Sequence, residues 1–210
     1  MMGAVADATD LHDDALWLGG SYDLAMELGD RDDSRLAAAL DAVWRAAQVE
    51  DCVGVPGEAG NAVVESECTL DALLRHGRLA GRTVLPRGRP VVCGVRALRG
   101  ARAAGNGRRA GVDWLVFFLP VGALDRAEPR SAAFPFRGGD SLLWRRPLDR
   151  WLSGIGAAVH QEVPYRLGLV GPDVAGLTTA RALDGEPPAE RWAGYLIPRD
   201  GELVYHQADR

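Results

Sequence analysis

The stretch Ser21-Tyr22-Asp23-Leu24-Ala25-Met26-Glu27-Leu28 is where the reading of the fold begins. Tyr22, Leu24, Met26 and Leu28 fall on one side of an extended chain, and Asp23, Ala25 and Glu27 fall on the other. This two-residue period is that of a half-buried strand over 21–28. The turn Gly29-Asp30-Arg31-Asp32-Asp33 follows, with acids suited to the positive end of a helix. Leu36, Leu40, Val43, Trp44 and Ala47 then recur at helical spacing, which predicts a helix over 34–48.

Further along, Gly54, Pro56, Gly57, Gly60 and Asn61 mark a loop before a short strand at 62–66. Thr69 can cap a short helix carrying Leu70, Leu73 and Leu74, ended by Gly77. Strands are expected at 83–85 and 90–98 around the turn Pro86-Arg87-Gly88-Arg89. Residues 112–119 form the most apolar strand candidate, expected to make an antiparallel hairpin with 91–98. Residues 120–147, with Phe134-Pro135-Phe136, read as a long irregular connection. Pro147 suits a first helical residue, and Leu148, Trp151, Leu152, Ile155 and Val159 form the stripe of a second long helix over 147–162. Strands at 165–170, 193–197 and 202–206 follow, the last two joined across Pro198-Arg199-Asp200-Gly201. This order implies an α+β fold: a mainly antiparallel sheet with two long helices packed on one face. One domain is expected over 15–210, preceded by an acidic flexible tail over 1–14. Leu24, Met26, Leu40, Trp44, Phe117, Leu152, Ile155 and Leu169 are expected to share one core.

The 210 residues, 47% of them apolar, suffice for such a core. The longest apolar run, 114–121, is far below the roughly 20 residues that cross a bilayer as a helix, so no membrane association is expected. Asp7, Asp10, Asp13 and Asp14 stand where a secretory leader would be basic and then apolar. Cys52, Cys68 and Cys93 are too few and too scattered in sequence for a disulfide framework, which points to a reducing, cytoplasmic location and to cysteines acting as small hydrophobes. Every one of the 24 basic residues is arginine, a bias expected of a high-GC bacterium such as an actinobacterium. The missing lysine also excludes a Walker A phosphate loop and Schiff-base chemistry in this chain, and no cofactor is expected.

Charge is segregated. Residues 1–71 hold 16 acids against Arg31, Arg35 and Arg45, for a net −13, whereas 72–210 hold 13 acids against 21 arginines, for a net +8. From Arg75 to Arg109 there are ten arginines and no acid. Arginine forks suit carboxylates and phosphates. Arg102, Arg108 and Arg109, on a loop expected to project from the 91–98/112–119 hairpin, are candidate contacts for an acidic protein partner, with Arg145 and Arg146 beside Trp144 as a second basic site. Nucleic acid is a weaker candidate, because the acidic first third can neutralise the arginines within the molecule.

The catalytic motifs are incomplete. Gly105-Asn106-Gly107-Arg108-Arg109-Ala110-Gly111 lacks the spacing and the strand-to-helix setting of a dinucleotide loop. Gly19-Gly20-Ser21-Tyr22-Asp23 places Asp23 where a nucleophile elbow needs glycine. His12, His76, His160 and His206 show no paired metal spacing, and no metal site is expected. A thiol enzyme would take Cys93 or Cys68 as nucleophile and His76 or His160 as base. The preferred expectation is a non-enzymatic module that binds a protein partner, immunity-like or regulatory. A small enzyme with a fold-assembled site is the alternative, and anion or nucleic-acid binding through the arginine-rich stretch is the second.

Overall fold

The computed structural model describes residues 7–55, 63–100, 111–128 and 139–210. Its centre is the alternating stretch quoted first, which forms β1 (Ser21–Asp30). Eight further strands join it: β2 (Glu50–Gly54), β3 (Val64–Glu65), β4 (Arg78–Val84), β5 (Pro90–Arg99), β6 (Val112–Pro120), β7 (Leu167–Pro172), β8 (Gly194–Arg199) and β9 (Glu202–His206). They make one sheet in the order β3-β2-β4-β5-β6-β1-β7-β8-β9, with every neighbouring pair antiparallel. The expected hairpins are both present, β5 with β6 and β8 with β9.

The two long helices, α1 (Asp33–Ala46) and α4 (Gly139–Glu162), cover one face of the sheet. Asp32 caps α1, its carboxylate accepting from the amides of Ser34 and Arg35. Leu36, Leu40 and Val43 of α1 and Leu148, Leu152, Ile155 and Val159 of α4 pack on Tyr22, Leu24, Met26, Leu115 and Phe117. Two short helices, α2 (Leu70–His76) and α3 (Val121–Ala127), flank them. Thr69 and Gly77 bound α2 as expected, Gly77 in the left-handed conformation.

The opposite face carries a second apolar cluster of Ala25, Trp114, Val116, Phe118, Leu167, Leu169, Tyr195 and Ile197. The chain over 173–193, with the single turn α5 (Ala180–Leu183), supplies Val174 and Ala193 to that cluster. Buried Glu27 accepts from the amide of Ala180 at 2.7 Å and ties this segment to β1. Leu169 therefore belongs to the second cluster and not to the core of Leu24 and Leu152, because successive residues of β7 point to opposite faces.

Other boundaries also differ from expectation. α4 begins at Gly139, so Pro147 lies inside it instead of opening it. The carbonyl that loses its partner belongs to Leu143, a strongly exposed residue. Residues 121–127, expected to be irregular, are helical, while 129–138 lie outside the described residues. β2 replaces part of the expected loop, and β4 begins at Arg78 instead of Thr83. Of the expected acidic tail, residues 7–14 are docked. Ala8 and Leu11 are buried, the Ala8 carbonyl accepts from the Val92 amide at 3.0 Å, and Asp13 pairs with Arg126. The two apolar side chains among the acids are what anchor it.

Candidate functional site on the second sheet face

Arg78 opens β4 and faces Arg96 of β5 directly across the strand pair. Directly opposed like charges repel, so this register needs a compensating interaction. Arg96 has one: its guanidinium donates to Asp23 of β1 at 3.3 Å and to the Ser21 hydroxyl at 3.4 Å. Among the described residues Arg78 has no carboxylate or carbonyl partner for its guanidinium. It lies 4.7 Å from the centroid of the Trp17 ring. Burial, then the charge of Arg96, lowers its pKa from the ordinary arginine value.

Local sequence explains how these groups meet. Asp13 caps the 3-10 turn Asp14–Trp17, and the indole Nε1 of Trp17 donates to the Leu11 carbonyl at 3.3 Å, which holds the ring against the sheet. Gly94 pairs with Phe118, and a β-carbon at position 94 would come within 2.5 Å of the Phe118 ring. The missing side chain is what lets Phe118 tilt over β5. Phe118 there meets Trp17 edge-on at 6.5 Å and lies 4.9 Å from the Arg96 guanidinium carbon. Two rings in contact thus lie between two cations, in the order Arg78, Trp17, Phe118, Arg96.

Asp23 ends this row. It is fully buried, and its Oδ1 has no hydrogen-bond partner of good geometry among the described residues. Burial raises its pKa above the usual carboxylate range, while Arg96 and Ser21 pull against that rise. Asp173 lies alongside, its Oδ1 accepting from the Ser21 amide at 3.0 Å. Chemically the arrangement offers a half-buried guanidinium that has no counter-ion among the described residues, set against a stacking surface.

A second polar constellation lies beneath the helices. The Tyr22 hydroxyl donates to Asp149, and Arg145 donates through Nε to the Tyr22 oxygen at 3.0 Å. Arg145 also donates to the Trp192 carbonyl at 2.8 Å. Burial, the largest cause, raises Asp149 to about 6, while Tyr22 and Arg145 pull it down. Arg145 is only 1% exposed, so a surface partner cannot reach it, whereas neighbouring Arg146 is exposed. Arg102, Arg108 and Arg109 lie outside the described residues.

The candidate catalytic residues are distributed over separate places. Cys93 lies on β5 in the helix-side core, where burial raises its pKa. His76 ends α2, its ring over Gly54 of β2. His160 lies in α4, where its Nδ1 accepts from the Tyr165 amide at 3.2 Å and burial lowers its pKa. The thiol that Cys68 does meet is Cys52. Among the described residues no group of three or more His, Cys, Asp or Glu side chains could hold a metal ion, and no helix is long and apolar enough to cross a membrane.

Sequence reasoning missed Trp17, Asp23, Arg78 and Phe118 as a group. The available signal was Asp23, an acid opposite the apolar side of β1, together with Arg78 and Arg96. Their pairing was hidden because β4 was expected to start five residues later. Comparison with known proteins returns no match: no family model, no curated protein and no solved structure aligns significantly with this chain.

Proposed function

We propose that this chain is a non-enzymatic binding module that receives an acidic side chain of a protein partner at Arg78, on the row formed with Trp17, Phe118 and Arg96. The carrying observation is the half-buried Arg78 guanidinium, set opposite Arg96 with no anion among the described residues. Other described arginines of the basic run have partners: Arg75 meets Asp71, Arg82 meets Asp51, Arg87 meets Glu128, and Arg99 meets Asp33 and Asp113. A carboxylate docking on Arg78 relieves the repulsion between the two arginines and completes the charge-assisted hydrogen bonds they can make. Exposed Leu18, next to Trp17, extends the surface with an apolar contact. An immunity-like or regulatory role is one form of such a module.

The test is titration of the full chain with a glutamate-rich peptide and, separately, with a single-stranded oligonucleotide of equal charge. The expected result is peptide binding that weakens about tenfold, or about 1.4 kcal/mol, in Arg78→Gln and is unchanged in Arg146→Gln. Equal peptide affinity in wild type and Arg78→Gln would remove the basis for the site. Tighter binding of the oligonucleotide than of the peptide would transfer the site to nucleic acid.

A further inference from the structure

Cys52 and Cys68 are sixteen positions apart, and the fold brings them together at the β2 edge of the sheet. β2 and β3 pair antiparallel, with Val53 opposite Glu65 and Gly54 opposite Val64. The Ser66 amide donates to the Cys52 carbonyl at 3.3 Å, which extends the doubling-back beyond the ladder. Cys68 immediately precedes Thr69, the residue that caps α2, so the start of that helix holds it in place. The β2–β3 pairing sets Cys68, two residues past Ser66, beside Cys52, and the two side chains pack on the same rim of the core. Both are free and half-buried, packed on the rim of the helix-side core, whereas Cys93 is fully buried in its interior. Two neighbouring thiols, each part-exposed to solvent, are the arrangement that supports exchange.

We propose that Cys52 and Cys68 form a redox-active dithiol that closes to an intramolecular disulfide by exchange with an oxidised low-molecular-weight disulfide. This inference is independent of the anion site on the opposite face. Interaction with Cys68 lowers the pKa of Cys52, whereas interaction with Cys52 and burial raise that of Cys68. Cys52 is therefore the attacking group. Its thiolate, the proton having gone to water, forms a bond to one sulfur of the external disulfide, whose S–S bond breaks and releases the first thiolate. Cys68 then gives up its proton, and its sulfur attacks Cys52 in the mixed disulfide and expels the second thiolate. Both leaving thiolates take up protons. Two electrons and two protons pass in total from the pair to the external disulfide, which becomes two thiols.

The experiment exposes the folded full chain to oxidised glutathione, quenches with an alkylating reagent in denaturant, and reads intact mass and a proteolytic map. Wild type should lose two of its three free thiols. It should take up one alkyl label where the reduced chain takes up three, carry no glutathione, and yield a peptide joining positions 52 and 68. Cys68→Ser should instead retain one glutathione on Cys52, and Cys93→Ser should behave as wild type. An unchanged thiol count in wild type, at a poise that oxidises dithiothreitol, overturns the proposal. A lasting glutathione adduct on wild type without the internal bond overturns it equally. These readings on wild type need no variant to fold.

Discussion

Asp149 shows how surroundings reset a single residue. It is almost fully buried in α4 against Tyr22 and Arg145, and burial raises its carboxyl from the ordinary 3.8 to about 6. Below about pH 3 the group is protonated in both the folded and the unfolded chain, so it imposes no pH-dependent cost. As pH rises from about 3 through 6 the unfolded chain releases this proton first, and stability falls. The loss is complete above the folded value and amounts to on the order of 3 kcal/mol. Asp149→Asn cannot ionise and is spared it. In urea unfolding, the stability of Asp149→Asn relative to wild type should therefore rise by up to about 3 kcal/mol between pH 4 and pH 7. Asp23 and Glu27, also raised by burial, are common to both proteins and cancel in the difference. A difference that stays flat across this range would show that Asp149 is not held as described.

Within α4, two glycines only two positions apart play opposite parts. A β-carbon at Gly154 meets nothing within 4 Å. At Gly156 it would lie 2.7 Å from Leu196 Cδ1, 3.1 Å from the Tyr165 hydroxyl and 3.2 Å from Leu24 Cδ1. Gly154→Ala should stabilise the protein by about 0.5–1 kcal/mol through helix propensity alone. Gly156→Ala gains the same propensity but must displace Leu24 and Leu196, both buried, and the Tyr165 hydroxyl that donates to the Gly156 carbonyl. It should destabilise by about 1–3 kcal/mol. Paired thermal melts of the two variants check this, and a shared sign would contradict the packing of α4 on β1 and β8. The helix stripe over 148–159 was legible in the sequence because its period is local. The start at Gly139 was not, because proline locally favours a first turn and disfavours a helix interior, and at Pro147 the tertiary packing overrides that preference.

For the molecule as a whole, the charge asymmetry between the first 71 residues and the rest becomes contact. Arg82–Asp51, Arg96–Asp23, Arg99–Asp33, Arg126–Asp13 and Arg166–Asp30 all cross that division. These pairs differ in weight. Arg99 donates through Nε and Nη2 to both oxygens of Asp113, at 3.2 Å each, and Asp113 is 1% exposed. Arg99→Gln leaves that buried carboxylate without its cation, with only the Asp32 amide donating to it at 3.1 Å, and should cost about 3 kcal/mol. Arg45 meets Glu162 at 2.9 Å with both side chains at least half exposed. Arg45→Gln should change stability by less than about 1 kcal/mol. Denaturant midpoints for the two variants test the contrast, and equal effects would contradict it.

What the chain determines locally is what its own periods state. The alternation in β1, the stripes of α1 and α4, the caps at Asp32, Thr69 and Gly77, and the turn at 198–201 each rest on residues within a few positions of one another. The antiparallel α+β architecture follows from their order. What only tertiary structure decides is which face meets which, and across which register. Leu169 lies one pleat away from the core expected for it, and residues 173–193 cover a face on which no helical period announced them. Arg78 opposes Arg96 only because β4 starts where glycine and arginine blur the strand signal. Cys52 meets Cys68 only because β2 and β3 pair. The physical reason is common to all four: these contacts join residues far apart along the chain, and their geometry is set by sheet pairing and burial, which a local window of sequence does not encode.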